Sequence, residues 1–182
     1  MYYDCIIAGF GGQGVLLMGN ILAYAGMIEG KNVTYMPVYG VEMRGGTANC
    51  TVAVSDDPIG SPVIQNPVSS IVMNLPSLEK FAPRVKKDGF LMVNGTLITE
   101  AEMAPYKDLD SLMVPSRDLA MAAGSDRLAN MVMLGAAIEK SGVVSLSVME
   151  KALLKGLDAK YHKMIPGNLK AIEEGAKFVA GA

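Results

Sequence analysis

Two glycine-rich loops contain the residues whose types and spacing are best suited to chemistry. The first covers residues 9–14 and reads GFGGQG, which fits the pattern G-x-G-x-x-G. Glycines in this pattern permit positive φ angles and let backbone N–H groups approach an anion closely. A helix that begins at the end of the loop adds about half a positive charge. The loop therefore predicts a phosphate or pyrophosphate site, and the alternative is a tight turn that binds nothing.

ATP and NAD are poorly matched by this first loop. A Walker A loop requires Lys directly after its last glycine, but Val15 follows Gly14. A dinucleotide fold places Asp or Glu at the end of the second strand to bind the ribose. The second predicted strand ends at residues 35–37 with the sequence YMP, and the nearest acid, Glu29, precedes it. ATP hydrolysis and a stand-alone nicotinamide-dependent reductase are therefore disfavoured.

The second loop covers residues 39–46 and reads YGVEMRGG. In an extended segment, Glu42 and Arg44 share one face because side chains alternate with a period of two. Arg44 could form a bidentate pair with a phosphate or carboxylate, and Glu42 could orient it. The alternatives are a local salt bridge in a surface loop and a loop that contacts a partner chain.

Few other side chains are candidates for catalysis or metal binding. Cys5 and Cys50 are the only cysteines, whereas an iron–sulfur cluster requires about four thiolates. They also lack the CxxC spacing of structural zinc sites. We expect both to be buried free thiols in a reducing compartment. His162 is the only histidine, and we expect it at a helix end or on the surface.

Strands that alternate with helices are predicted to position both loops. Residues 2–8 predict a strand that leads into the first loop, and residues 14–29 predict a helix that leaves it. With a short strand at residues 33–36, which is expected to end at Pro37, they would form a right-handed βαβ unit. Further strands are predicted at 49–55, 70–74, 90–94 and 111–114, and helices at 76–84, 117–123, 126–141, 147–157 and 168–179. The pattern predicts an α/β fold with a Rossmann-like, doubly wound sheet, helices on both faces and a helical C-terminal third.

Two helix boundaries in that last third have specific sequence signals. Ser147, followed by Glu150, fits a capping box at the start of a helix. Gly142 is expected to end the helix at 126–141.

The composition narrows the classes of partner. Apolar residues make up 51% of the 182 residues and charged residues only 19%. A parallel sheet buried on both faces and a surface covered by partner chains both explain this excess. Lys and Arg are not clustered, so no nucleic-acid partner is expected. No apolar run reaches the ~18 residues of a membrane span, and no signal peptide is recognised. We therefore expect a cytoplasmic protein without a membrane partner, and a homodimer when it is isolated from other partners.

The two loops, taken in this order, resemble those of a known family. The patterns GxGGQG at 9–14 and YGxExRGGTAN at 39–49 are similar to the γ subunit of 2-oxoacid:ferredoxin oxidoreductases. They are also similar to the third domain of single-chain pyruvate:ferredoxin oxidoreductases. The resemblance continues through residues 61–64, 74–81 and 129–135 and thus spans most of the chain. It implies that residues 1–182 form a single γ-type domain.

The resemblance implies a subunit of an enzyme that oxidatively decarboxylates a 2-oxoacid to an acyl-CoA and passes electrons to ferredoxin. The implied partners are α, β and δ subunits, which would carry thiamine diphosphate, Mg²⁺ and the iron–sulfur clusters. Coenzyme A is the one cofactor that this chain would bind, and the chain alone is expected to be inactive. The sequence EMRGGTANCT at 42–51 is most like the 2-oxoglutarate enzymes. Pyruvate, 2-oxoisovalerate and indolepyruvate enzymes are the alternatives.

The resemblance also implies a cofactor site built from both loops. The first loop would contact phosphate or pantetheine, and the second would face the cofactor or the catalytic subunit. An assembly module whose glycine loops contact only protein is the alternative interpretation. No catalytic or metal-binding residue is predicted, and the predicted cofactor-binding residues are Gly9, Gly11, Gly12, Gln13, Gly14, Tyr39, Glu42, Arg44, Gly45 and Gly46.

Overall fold

A six-stranded mixed sheet is the framework of the chain. The computed structural model describes residues 1–39 and 47–181, without the side chain of Tyr39. The strands are β1 (Tyr2–Phe10), β2 (Asn32–Tyr39), β3 (Thr47–Ser55), β4 (Ser69–Val72), β5 (Phe90–Asn94) and β6 (Asp110–Val114). They lie in the order β2-β3-β1-β4-β5-β6. Strands β1, β4, β5 and β6 are parallel to one another. Strand β3 is antiparallel to both of its neighbours, β1 and β2.

Helices cover both faces of this sheet, and each predicted strand is present, so the predicted α/β architecture is confirmed. The α-helices are α1 (Val15–Ile28), α2 (Leu75–Phe81), α3 (Glu100–Met103), α4 (Ser116–Ala123), α5 (Ala129–Ser141), α6 (Met149–Gly156) and α7 (Ile165–Ala180). Short 3₁₀ helices occur at Ala82–Arg84, Ala104–Tyr106, Asp126–Leu128, Leu146–Val148 and Ala159–Met164. The C-terminal third is helical, as expected. The sequence patterns did not predict α3.

The core is divided between the two faces because side chains alternate along each strand. In β1, Cys5 and Ile7 enter a large cluster that also contains residues of α1, α4, α5, α6 and α7. Ile6 and Ala8 point the other way, into a smaller cluster with α2 and α3. The sheet is therefore buried on both faces, which explains much of the apolar excess in the composition. Within residues 1–39 and 47–181, no helix is both long and apolar enough to cross a membrane.

The first predicted βαβ unit is split by an additional strand. β1 and β2 run in the same direction, but β3 lies between them and pairs antiparallel with both. β2 also extends to Tyr39 instead of ending at Pro37. β2 is an edge strand of the sheet, and an edge strand tolerates proline when the missing N–H would have faced outward.

The predicted capping box at Ser147 and Glu150 is wrong. Ser147 lies inside the 3₁₀ helix that precedes α6, and its N–H donates to the Ser145 hydroxyl at 3.2 Å. Its own backbone is already helical, so Ser145 occupies the capping position. The expected end at Gly142 is confirmed, because this residue adopts a left-handed conformation with φ of 62° directly after α5.

Candidate functional site

The first glycine loop lies at the point in the sheet where the helices that follow two neighbouring strands pack on opposite faces. β1 and β4 are adjacent and parallel. The helix after β1 packs into the large cluster, whereas the helix after β4 packs into the small one. In open α/β sheets, ligands bind in the crevice that such a switch creates at the carboxyl ends of the strands. The loop that follows Phe10 therefore occupies the position expected for a ligand site.

The backbone of this loop requires glycine at two positions. Gly12 has φ of 99° and Gly14 has φ of 72°, which L side chains rarely adopt. A Cβ on Gly14 would overlap the side-chain amide of Asn130, whereas a Cβ on Gly12 would meet nothing within 4 Å. Gly12 thus faces open space, and Gly14 allows close packing of α5 on the loop.

The loop opens directly into the long helix α1. Gly14 is its N-cap, no side chain caps the helix, and the first turn contains no acidic residue. The N–H groups of the first turn have no acceptors within the helix. They are therefore free to bind an anion, and the helix dipole favours one at this end. The predicted strand, glycine loop and helix are all confirmed, but the predicted anion contacts stay a prediction.

Gln13 braces the loop from within. Its Oε1 accepts the Phe10 N–H at 2.7 Å and the Asn74 side-chain amide at 2.9 Å. Its Nε2 donates to the backbone oxygen of Met73 at 3.2 Å. These bonds join the loop after β1 to the end of β4. The Gln13 amide therefore holds the shape of the crevice, and most of its hydrogen-bonding capacity is used within the protein.

The polar network continues across the floor of the crevice. Asn94, at the end of β5, donates to the backbone oxygen of Met73 at 3.3 Å. Its Oδ1 accepts the Ser116 hydroxyl at 2.7 Å and the Thr96 N–H at 3.1 Å. Asn94 and Ser116 are buried, and their polar groups satisfy each other as buried polar groups must. The ends of β1, β4, β5 and β6 are thus linked by one set of hydrogen bonds.

A cavity of about 430 Å³ lies above this floor and contains two arginines. Arg117 is the second residue of α4, just after β6, and Arg127 lies in the 3₁₀ helix before α5. Neither guanidinium forms an ion pair with any residue of the described ranges. Sequence reasoning missed both. Their only signal was that Arg117 follows the carboxyl end of a predicted strand, the edge where ligands bind in such sheets.

The predicted second loop falls mostly outside the described residues. Glu42, Arg44, Gly45 and Gly46 are not described, and only the backbone of Tyr39 is. Strand pairing nevertheless fixes where this loop leaves the sheet, because Phe10 lies opposite Thr47 and Tyr39 lies opposite Ala48. Both loops therefore start at the same edge of the sheet. A smaller cavity of about 240 Å³ lies there, between the first loop and Ala48.

The two thiols are buried in the sheet, and the Cys50 thiol donates to the Val15 oxygen at the start of α1 at 3.5 Å. Cys5 and Cys50 are free and buried, as expected. Burial raises the pKa of the Cys50 thiol to about 12 and also raises the pKa of Cys5. Both are therefore neutral packing residues at physiological pH. His162 lies with Nε2 3.0 Å from the Leu157 oxygen at the end of α6. In the described part of the chain, no three His, Cys, Asp or Glu side chains are grouped as metal ligands.

Comparisons with known proteins agree with this fold. The sequence profile of the pyruvate ferredoxin/flavodoxin oxidoreductase family matches residues 4–178. The ketoisovalerate oxidoreductase subunit VorA of Methanothermobacter thermautotrophicus is 38% identical over 174 residues, which cover 94% of this chain and 35% of VorA. The chain thus spans about a third of that relative's length. The 2-oxoglutarate synthase subunit KorC of the same organism is 32% identical over 178 residues, which cover 95% of this chain and 93% of KorC.

A solved structure gives the same result. The γ subunit of a keto/oxoacid ferredoxin oxidoreductase from Geobacter sulfurreducens PCA superimposes with a TM-score of 0.78 at 26% identity, and the match covers 99% of each chain. The profile match and the identity to KorC both extend over nearly the whole sequence. The chain therefore belongs to the pyruvate ferredoxin/flavodoxin oxidoreductase family.

Proposed function

We propose that this chain is the γ subunit of a 2-oxoacid:ferredoxin oxidoreductase and that it binds the phosphates of coenzyme A at its first glycine loop. The observation that carries the proposal is the opening of α1 by Gly12 and Gly14 at the switch point of the sheet. Arg117 and Arg127 line the same cavity and, with the carboxylate of Asp126 also lining it, leave it a net positive charge. Membership of a family in which the matching relatives are oxidoreductase subunits supports the proposed reaction.

In this proposal the chain holds a substrate and does not break bonds itself. Backbone N–H groups of the glycine loop donate to the phosphates, and the two arginines neutralise their charge. Gln13 and Asn94 keep the crevice in shape before the ligand arrives. Thiamine diphosphate, Mg²⁺ and the iron–sulfur clusters belong to α, β and δ subunits, which supply the decarboxylation and the electron path to ferredoxin. This chain contributes only two cysteines, which are too few for a cluster.

The proposed substrate is 2-oxoglutarate, on the basis of residues 42–51. Relatives that are named for ketoisovalerate and for 2-oxoglutarate both match the chain. In this proposal the sister subunits select the 2-oxoacid, so the choice is tested on the assembled enzyme. A panel of 2-oxoglutarate, ketoisovalerate, pyruvate and indolepyruvate should show a clear preference in kcat/KM.

The experiment that tests the proposal is co-expression of the chain with the proteins encoded beside it. The assembled complex should reduce a viologen dye when it is given a 2-oxoacid and coenzyme A. The purified chain alone should reduce none. Turnover by the isolated chain would contradict the subunit proposal. Undiminished coenzyme A-dependent turnover by a complex that lacks the chain would contradict it as well.

A second candidate is an assembly module whose loops contact only protein. The internal hydrogen bonds of Gln13 favour this candidate, because they leave that side chain little capacity for a ligand. Calorimetric titration of coenzyme A into the complex, with and without Arg44→Ala, separates the two. Loss of an Arg–phosphate contact should reduce affinity by about tenfold or more. Unchanged affinity together with lost assembly would favour the module.

A stand-alone nicotinamide-dependent reductase is the third candidate. It requires an acid to bind the ribose at the end of the second strand. Glu29, the nearest acid, accepts the Ser145 N–H at 2.6 Å and pairs with Lys31 at 2.9 Å. Glu29 is thus engaged elsewhere. We expect no measurable NAD(P)H binding by fluorescence, and clear binding would revive this candidate.

A further inference from the structure

Strand β6 forms one open edge of the sheet. It is the last strand in the order, and among the described strands it pairs only with β5. The Gly95 N–H donates to the Val114 oxygen at 2.8 Å, so the peptide groups of Val114 point toward β5. Successive residues of a strand direct their peptide groups to opposite sides of it. The N–H and C=O groups of Ser111 and Met113 therefore point outward, away from the sheet.

This edge lacks the features that usually prevent one sheet from pairing with another. Lysine, proline or a bulge commonly protects an exposed edge strand. Residues 111–114 read SLMV and contain neither a charge nor a proline. Asp110, the charged residue at the start of the strand, pairs with Lys140 at 2.9 Å. The outward row of peptide groups is therefore available to another extended strand.

Two opposite charges lie beside this edge, one toward each end of β6. Glu100 and Lys107 line a cavity of about 290 Å³ whose wall includes Ser111. Glu100 begins α3, which follows the carboxyl end of β5, whereas Lys107 comes shortly before the start of β6. Both side chains are exposed, and neither forms an ion pair with any residue in the described part of the chain. The edge thus presents an acid toward its carboxyl end and a base toward its amino end.

A two-fold axis normal to the sheet brings these opposite charges together. When two copies pair antiparallel with Leu112 opposite Leu112, Ser111 of each copy lies opposite Met113 of the other, and each such pair exchanges its outward hydrogen bonds. The axis also exchanges the two ends of the strand, so Glu100 of each copy faces Lys107 of the other. Leu112 is half-buried against the larger cluster on the other face of the sheet, where it meets its own counterpart. The edge is therefore complementary to itself in hydrogen bonds, charge and apolar contact.

We propose that two copies of this chain associate through β6 and continue the six-stranded sheet across a two-fold axis. Such an interface uses the same surface on both copies and closes on itself. A strand from a different protein has no reason to match the placement of Glu100 and Lys107, so the self-complementary charges favour a second copy. The inference does not depend on coenzyme A binding or on the proposed reaction.

Cysteine cross-linking of the full-length chain tests the register of the paired strands. Leu112→Cys places two thiols at a pair without hydrogen bonds, where Cα atoms lie about 4.5 Å apart, within the reach of a disulfide. This variant should form a covalent dimer under mild oxidation with diamide. Ser111→Cys is the matched control, because its thiols lie two residues out of register and farther apart than a disulfide spans. The wild-type chain should not cross-link, since both of its cysteines are buried. Equal cross-linking of the two variants, or none in either, would overturn the proposed register.

Sedimentation velocity tests the charge pairing. The wild-type chain should show a reversible equilibrium between monomer and dimer. Glu100→Lys and Lys107→Glu should each raise the dimer Kd by about tenfold, because two attractive contacts per dimer become repulsive. The two substitutions combined should restore the wild-type Kd. Glu173→Lys reverses the charge of an exposed residue on α7 and should leave the Kd unchanged.

The outcomes of these measurements are distinct. A chain that remains a monomer at millimolar concentration would overturn the inference. A dimer whose Kd responds equally to Glu100→Lys and Glu173→Lys would place the interface elsewhere and overturn it as well. Weakening by each reversal without recovery in the combined variant would contradict the pairing of Glu100 with Lys107 across the axis.

Discussion

The side-chain amide of Gln13 donates to the backbone oxygen of Met73 at 3.2 Å, across the boundary between two parallel strands. The same side chain accepts from Asn74 at 2.9 Å. The glycine loop is therefore fixed to its neighbour by contacts within the chain. A site that is organised in this way before binding loses less entropy when the ligand arrives.

Replacement of Gln13 by alanine should lower the free energy of unfolding by about 1–3 kcal/mol, the usual cost of leaving buried partners without a hydrogen bond. The Phe10 N–H and the Asn74 amide would both lose their acceptor. Urea unfolding followed by circular dichroism measures the loss. Gln65→Ala is the control, because Gln65 is exposed. Equal stability of the two variants would show that the brace contributes nothing.

Replacement of Gly14 by alanine should destabilise the chain by more than about 2 kcal/mol, because a left-handed backbone is strained for alanine. The added Cβ would also overlap the Asn130 amide. Gly60→Ala is the control, since Gly60 is not at positive φ and a Cβ there meets nothing within 4 Å. Thermal unfolding of both variants measures the effect. A melting temperature for Gly14→Ala at or above that of Gly60→Ala would refute this role.

The arginines of the first cavity should contribute to coenzyme A affinity. Arg117→Gln and Arg127→Gln should each weaken binding by about tenfold or more, the effect of one charge-assisted contact. Lys151→Gln removes the same charge from an exposed position on α6 and is the matched control. The calorimetric difference should shrink at high salt because exposed charges are screened. Equal effects of all three substitutions would indicate only a general charge effect.

Buried thiols should make the chain less stable at alkaline pH. Burial raises the pKa of Cys50 to about 12, whereas an unfolded thiol has a pKa of about 8.5. A thiol pKa that is higher in the folded state than in the unfolded state contributes stability at pH values below the pKa of the unfolded thiol. This contribution is lost as the pH rises above that pKa. Between about pH 7.5 and about pH 10, one such thiol should account for about 2 kcal/mol of lost stability.

Urea unfolding at the two pH values tests this expectation. The loss of stability should be smaller in Cys50→Ala than in the wild-type chain by about that amount. For each protein the loss is the difference between its own stabilities at the two pH values. The energetic cost of the cavity in Cys50→Ala is present at both pH values and therefore cancels. An identical loss in both proteins would show that Cys50 does not titrate with unfolding.

The local parts of the site were readable from the sequence. Glycine spacing at residues 9–14 between a β-rich run and a helical run predicted the strand, loop and helix that the structure contains. These features depend on backbone angles and on neighbours a few residues away. Gly142 ended its helix for the same reason.

The features of the site that depend on the order of the strands in the sheet could not be predicted from the sequence. The position of β3 between β1 and β2 depends on tertiary packing, and no local sequence pattern predicts it. Arg117 lines the cavity at the loop because β4, β5 and β6 pair in that order beside β1, and Arg127 lines it because the start of α5 packs on Gly14. The run through Pro37 was missed because it depends on β2 being an edge strand. Better use of one rule, that polar residues after buried strands converge at the carboxyl edge, would have pointed to Asn94 and Arg117.

The central claim is that coenzyme A binds through its phosphates at this chain's glycine loop. The KM for coenzyme A of the co-expressed complex, measured for wild type and Gly12→Ala, tests it most directly. Gly12 has φ of 99° and faces open space, so the change distorts the loop without filling a packed core. We predict that the KM for coenzyme A rises by about tenfold or more, while the KM for the 2-oxoacid stays the same. An unchanged KM for coenzyme A in a fully assembled variant complex would contradict the claim.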